Sequence, residues 1–203
     1  MIKDWFSRIS KRTKWVIATI ILIFVVAFLM FVFSPLSKAS IPPAFSQARQ
    51  EGSIYAKEIA VATNEIAVNL NGIGELKDRN EKSKIFDLVI AQIQKNNQTK
   101  EKALLLTEQL RKMTSALPDV TPEKAGQVAL EALTSETVLV QKLINYSDLL
   151  NQLLNSIKDK LASGDNNYDS VNKIIDNINK ETSEINKLNE EFSQKMDKFD
   201  GYF

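Results

Sequence analysis

The side chains that most often carry out chemistry in proteins are scarce in this sequence. Its 203 residues include no His and no Cys, which excludes imidazole bases, thiol nucleophiles, and imidazole or thiolate metal ligands. A serine nucleophile needs a base that titrates near neutrality, and no G-x-S-x-G or G-x-x-x-x-G-K-[ST] string is present. The composition therefore predicts a protein that is not an enzyme and that carries no cofactor.

Two acidic features are candidate sites for a proton or a cation. Glu136 falls in the apolar phase of a predicted helix, but a helix of 3.6 residues per turn drifts, so Leu133 or Val140 is expected to take the inward position instead. The oxygen-rich sequence "DNNYD" at 165–169 lacks the Gly and the closing Glu of a calcium loop. We interpret both as ordinary structural sequence and predict no catalytic, cofactor-binding or metal-binding residue.

A membrane anchor is the clearest element of the chain. Residues 15–33 carry no charge and only one polar side chain, Thr19. As a helix they reach about 28 Å, close to the roughly 30 Å of a hydrocarbon core. Residues 1–14 hold five basic residues against one acid, which predicts a cytoplasmic N-terminus. The anchor residues are Trp15, Ile20, Ile21, Leu22, Phe24, Phe28, Phe31 and Phe33, and the topology-setting basic residues are Lys3, Arg8, Lys11, Arg12 and Lys14.

Residues 34–43 form a proline-containing linker after the anchor. Ser37-Lys38-Ala39 resembles a signal-peptide cleavage pattern, which would release the chain after Ala39. The apolar cores of signal peptides run ~7–15 residues, and this run is longer, so we favour the uncleaved anchor. Prolines at 35, 42 and 43 are explained without cleavage, because they end the membrane helix and stiffen the linker.

The remainder, residues 44–203, is predicted to be helical throughout. The whole chain has only 6 Gly and 5 Pro, far fewer turn residues than a sheet protein uses. Apolar residues at steps of three and four predict a first helix that ends near Asp78, where Asp78 and Glu81 have capping-box spacing. Gly72 to Gly74 is the competing position for that turn.

Three further helices follow. The second runs to about Ala116, although residues 94–102 contain no apolar side chain and could mark a break. The third begins with Thr121 as N-cap and Pro122 at the first helical position. It ends at the turn sequence "SGDNN", residues 163–167.

The fourth helix has the most regular pattern. A stripe for packing or docking repeats every seven residues and consists of Val171, Ile178, Ile185, Phe192 and Phe199. Similar helix lengths and short turns predict an elongated, antiparallel, up-down four-helix bundle about 50 Å long. The alternative is a three-helix coiled coil in which the first two helices are continuous.

These features together predict a non-enzymatic, single-pass protein of the plasma or inner membrane, with residues 44–203 extracytoplasmic. Its bundle is expected to bind or space protein partners, or to form homo-oligomers, through heptad surfaces. The alternative is a small-ligand binding or sensing module with a pocket beside Ala125, Ala129 and Ala132 that signals through a partner. Residues 15–203 carry three more acidic than basic side chains, so nucleic acid is not an expected partner.

Overall fold

Four α-helices and no strands make up the described part of the chain. The computed structural model describes residues 40–78, 81–163 and 169–203. The helices are α1 (Pro43–Asp78), α2 (Lys82–Ala116), α3 (Glu123–Ser163) and α4 (Asp169–Asp200), and a 3-10 turn (Leu117–Asp119) lies between α2 and α3. The predicted all-helical bundle is therefore confirmed for these residues.

Consecutive helices pack side by side in opposite directions. Between α1 and α2, Lys102 pairs with Glu58 at 2.8 Å. Between α3 and α4, Lys142 pairs with Glu184 at 2.5 Å. Because α2 folds back along α1, the two cannot be one continuous helix, and the three-helix alternative is wrong.

Two predicted helix starts differ from the structure. α1 continues through Gly72 and Gly74 to Asp78. Asp78 is therefore the last residue of α1, while Glu81 is the N-cap of α2 and makes no side-chain capping bond, so the expected capping box is wrong. α3 begins at Glu123, one residue later than predicted, and the carbonyl of Pro122 accepts a bond from the Ala125 amide at 2.8 Å.

The core consists of three apolar clusters along the bundle. At one end the cluster contains the first turns of α1 and α3 and the last turns of α2 and α4, with Phe45 and Phe199 fully buried. A small middle cluster joins Ala60, Leu139 and Ile185. The third lies toward the other end and includes Ile66, Val89, Leu154, Val171 and Ile178. Each helix contributes one apolar face to these clusters, and the burial of these faces is the main source of stability in such a bundle.

The polar stretch 94–102 does not break α2. Asn96 and Thr99 are buried there. The Asn96 amide Nδ2 donates to the Ser147 carbonyl of α3 at 2.6 Å, and the Ser147 hydroxyl donates to Asn96 Oδ1 at 2.8 Å. Thr99 donates its hydroxyl to the Lys95 carbonyl one turn back. α2 can remain helical and buried here because the polar groups that it buries have hydrogen-bond partners.

The predicted anchor, residues 15–33, lies outside the described residues. Within 40–78, 81–163 and 169–203, no helix is both long enough and apolar enough to cross a bilayer. The described chain starts at Ser40, whose carbonyl accepts a bond from the Thr121 amide at 3.3 Å. Residues 40–43, the described part of the linker, therefore lie beside the α2–α3 turn, at the same end as Phe203.

Candidate functional site

The seven-residue stripe of α4 faces the inside of the bundle. Val171, Ile178, Ile185 and Phe199 are buried, and Phe192 is partly buried against the same cores. The predicted anchor residues and the basic residues 3–14 lie outside the described part of the chain. The stripe therefore holds α4 against its neighbours and is not a free surface of a single chain.

A clamp joins the start of α1 to the end of α4. The two guanidinium nitrogens Nη1 and Nη2 of Arg49 each donate to one oxygen of Asp200, both at 2.7 Å. The rings of Phe45 and Phe199 have centroids 5.5 Å apart, and the Phe203 ring meets Phe199 edge-on at 5.1 Å. A bidentate pair that is mostly shielded from water is the stronger kind of ion pair. The clamp holds α1, the first helix of the bundle, against α4, the last.

Glu136 occupies the interior of the bundle, so the expectation that Leu133 or Val140 would replace it is wrong. All three side chains are buried, and Glu136 is only 6% exposed. Six buried positions at 132, 133, 135, 136, 139 and 140 fit because α3 packs against two neighbours and presents a wide inner face. The heptad pattern alone could not reveal that width.

The surroundings of Glu136 keep its carboxyl group protonated over much of the pH range. Burial raises its pKa from 4.5 to about 7, because desolvation penalises the charged form. Its Oε2 has no hydrogen-bond partner among the described residues. Leu139 packs with Ile185, so Asn189, one turn after Ile185 on the antiparallel helix, lies at about the level of Glu136. The Nδ2 of Asn189 is also without a partner there.

A groove of about 460 Å³ opens between α1 and α2 at the end where the linker enters. Its floor includes the small residues Ala48 and Ala116 together with Gln109, whose Oε1 is buried without a partner in the described chain. Two acidic and two basic residues line it: Glu51, Asp119, Arg111 and Lys112. Its volume lies within the ~300–1,000 Å³ of small-molecule sites.

The pocket expected beside Ala125, Ala129 and Ala132 stays a prediction. These three residues are fully buried in the core at the linker end. The groove between α1 and α2 is therefore a different place from the one that the sequence suggested.

An apolar stripe on the outside of α1 was missed from the sequence. Ile54, Val61 and Val68 are 49%, 49% and 59% exposed, and they repeat every seven residues. The inward residues Ile59 and Ile66 lie on the opposite side of the same helix. We call Ile54, Val61 and Val68 the outer stripe. Its spacing was visible in the sequence, but the stronger inward phase of α1 concealed it.

No three His, Cys, Asp or Glu residues in the described ranges are grouped so that they could hold a metal ion. Most of the oxygen-rich turn at 165–169 lies outside those ranges. Comparison with protein-family models, with curated proteins and with solved structures finds no match to this chain.

Proposed function

We propose that the protein is a non-enzymatic, single-pass protein of the cell membrane whose outer helical bundle binds or spaces partner proteins. Residues 15–33 are its anchor, and the bundle faces the extracytoplasmic space. The outer stripe of α1 carries the proposal. Three large aliphatic side chains in a line, each about half exposed, form a surface suited to another helix.

The arrangement of the chain ends supports a spacing role. The linker and Phe203 are at one end of the bundle, where Ser40 meets the α2–α3 turn. The last residues of α1 and α3, Asp78 and Ser163, are at the opposite end. With helices of 32 to 41 residues, that end stands roughly 50–60 Å from the linker. A tethered bundle would carry its outer surfaces over this distance from the membrane.

A small-ligand binding or sensing module is the second candidate function. The groove and the unpartnered Gln109 Oε1 favour it, because a buried acceptor without a partner is an unfavourable arrangement that a ligand donor would correct. The balanced charges of the lining suit a zwitterionic molecule. A free amino acid that raises the melting temperature of the wild type, but not of Ala48→Trp, would support this candidate. No such rise across the common amino acids would reject it.

The first prediction concerns topology. Protease added to intact cells, after any outer layer is permeabilised, is expected to degrade the region beyond residue 34 and to leave a membrane-embedded fragment. The reason is the excess of basic residues before the anchor. The fragment is measured by immunoblotting of an N-terminal tag. Protection of the bundle until the inner membrane is lysed would show the reverse orientation. A soluble chain that begins at Ser40 would show cleavage.

The second prediction concerns the outer stripe. Val61→Glu is expected to reduce the recovery of the bundle's protein partner at least about tenfold, because it places a charge in an apolar contact. Recovery is measured after chemical cross-linking in membranes. Val138→Glu, at a similarly exposed valine of α3 (45%), is the matched control and should leave recovery unchanged. Equal recovery from both variants would contradict a role for the stripe.

A further inference from the structure

The outer stripe gives α1 a second apolar face, directed away from the bundle. At 1.5 Å per residue, the three side chains lie about 10 Å apart along about 21 Å of helix. A seven-residue repeat keeps successive side chains nearly in line, which suits a second helix that runs alongside. An elongated helix is therefore the expected shape of the occupant.

The charges beside the stripe differ between its two flanks. Successive helix residues are ~100° apart, so Lys57 lies ~40° to one side of Val61 and Glu65 lies ~40° to the other. Glu58 is on the acidic flank with Glu65, and both are exposed. Lys57 makes no ion pair within the described chain, whereas Glu58 pairs with Lys102 and Glu65 with Lys95. The stripe therefore has Lys57, which makes no ion pair in the described chain, on one flank, and two glutamates that are each paired with a lysine of α2 on the other.

This asymmetry distinguishes the possible orientations of a second copy. In an antiparallel pair centred on Val61, each flank meets itself, so Glu58 of one copy faces Glu65 of the other and Lys57 meets no carboxylate. In a parallel two-fold pair, the basic flank meets the acidic flank, and Lys57 lies beside Glu58 of the second copy. Opposite charges on the flanks of paired helices favour that pairing, and like charges disfavour it. Lys57 thus gains a carboxylate neighbour only in the parallel arrangement, which favours that arrangement.

The membrane anchor favours the same orientation, and this step rests on the proposed function. Two copies held in one membrane by residues 15–33 enter their bundles at the same end, so their α1 helices point the same way. Three half-exposed side chains bury far less than the ~800 Å² per partner of a stable interface. The contact is therefore weak in solution and depends on the high effective concentration that anchoring provides.

We propose that the outer stripe of α1 pairs with the same stripe of a second copy of this chain, in parallel and within one membrane. The pairing places Ile54 beside Ile54, Val61 beside Val61 and Val68 beside Val68 of the two copies. Lys57 of each copy lies next to Glu58 of the other.

Single-cysteine variants test the arrangement directly, because the chain has no Cys. Ile54→Cys, Val61→Cys and Val68→Cys are made one at a time in the full-length protein, and disulfide-linked dimer is measured in native membranes after mild oxidation. A disulfide needs Cα atoms about 4.4–6.8 Å apart, so the parallel pair should cross-link at all three positions. Val138→Cys, an exposed valine on α3, is the matched control and should remain monomeric.

A change of charge tests the register. In the Val61→Cys background, Lys57→Glu is expected to lower the dimer yield at least threefold, and adding Glu58→Lys should restore it. Helicity and melting temperature are measured for each variant to show that it remains folded.

Three results would overturn the proposal. Cross-linking at Val61→Cys alone would show an antiparallel pair. Yields no higher than those of Val138→Cys would show that the second copy does not cover the stripe. A Lys57→Glu variant with an unchanged yield would reject the flanking charge contact. If the cysteine variants fail while Val61→Glu still removes a different protein, the proposed function stands and only its partner changes.

Discussion

Replacing Phe199 with Ala is expected to lower the free energy of unfolding by about 3–5 kcal/mol. Phe199 is 0% exposed and contacts the rings of Phe45 and Phe203. Its ring also lies 6.0 Å from the Arg49 guanidinium carbon. Removing it leaves a cavity at the clamp and deprives three neighbours of their contact. Such a loss is a large part of the ~5–15 kcal/mol that stabilises a typical domain.

The measurement is denaturant unfolding of the full-length protein in detergent, followed by circular dichroism. Phe86→Ala is the matched control, because Phe86 is partly exposed on α2 and its removal should cost only on the order of 1 kcal/mol. Equal losses from both variants would contradict the clamp. A loss confined to Phe199→Ala would show that the joint between α1 and α4 contributes strongly to stability.

Replacing Glu136 with Gln is expected to make the protein more stable at pH 8 and to change it little at pH 4.5. The folded-state pKa of Glu136 is raised to about 7 from an ordinary value of 4.5. Below pH 4.5 the carboxyl is protonated in both the folded and the unfolded state. Between these values the unfolded chain releases its proton first, so the wild type loses stability as pH rises. Above pH 7 the folded protein carries the full cost of burying the charged carboxylate, about 3 kcal/mol of unfolding free energy.

The difference in unfolding free energy between the wild type and Glu136→Gln reports on this one carboxyl group. Other groups shift in the opposite sense: the hydrogen bond from Lys142 lowers the pKa of Glu184, and that from Arg111 lowers the pKa of Glu108. Their contributions are common to the wild type and to Glu136→Gln and cancel in the difference. The free energy of unfolding is measured from pH 4.5 to pH 8 for both proteins. Parallel profiles would show that Glu136 is not a buried acid.

Periodicity predicted the helices well because each helix buries one long face. The inward phase of α1 placed Ile59 and Ile66 correctly, and the seven-residue repeat of α4 placed Ile178 and Ile185. The C-terminal ends of the first three helices were also predicted well, because α1 ends at Asp78, α2 at Ala116 and α3 at Ser163. The starts of α2 and α3 were predicted less well, since Glu81 makes no side-chain capping bond and α3 begins at Glu123. α1 continues through Gly72 and Gly74, although each glycine inside a helix has an intrinsic cost of about 1 kcal/mol.

The polar contacts of the core could not be predicted from local sequence. Arg49 and Asp200 are 151 residues apart, and only the closure of the bundle brings them together. The prediction for Glu136 used only the apolar residues near it in the sequence, whereas its burial depends on the helices that pack on both sides of α3. The outer stripe has the same spacing as an inward one, so exposure could be assigned only after the helices were packed.

The two hydrogen bonds between Asn96 and Ser147 disfavour other alignments of α2 along α3. If α2 slid by one heptad along α3, apolar contacts would still form, since both helices repeat hydrophobic side chains. Val89 or Ala103 would then occupy the place opposite Ser147, and both the amide and the hydroxyl would lose their partners. An unsatisfied buried polar group costs about 1–3 kcal/mol. The stretch with the fewest apolar side chains thus selects one alignment of the two helices over its close competitors.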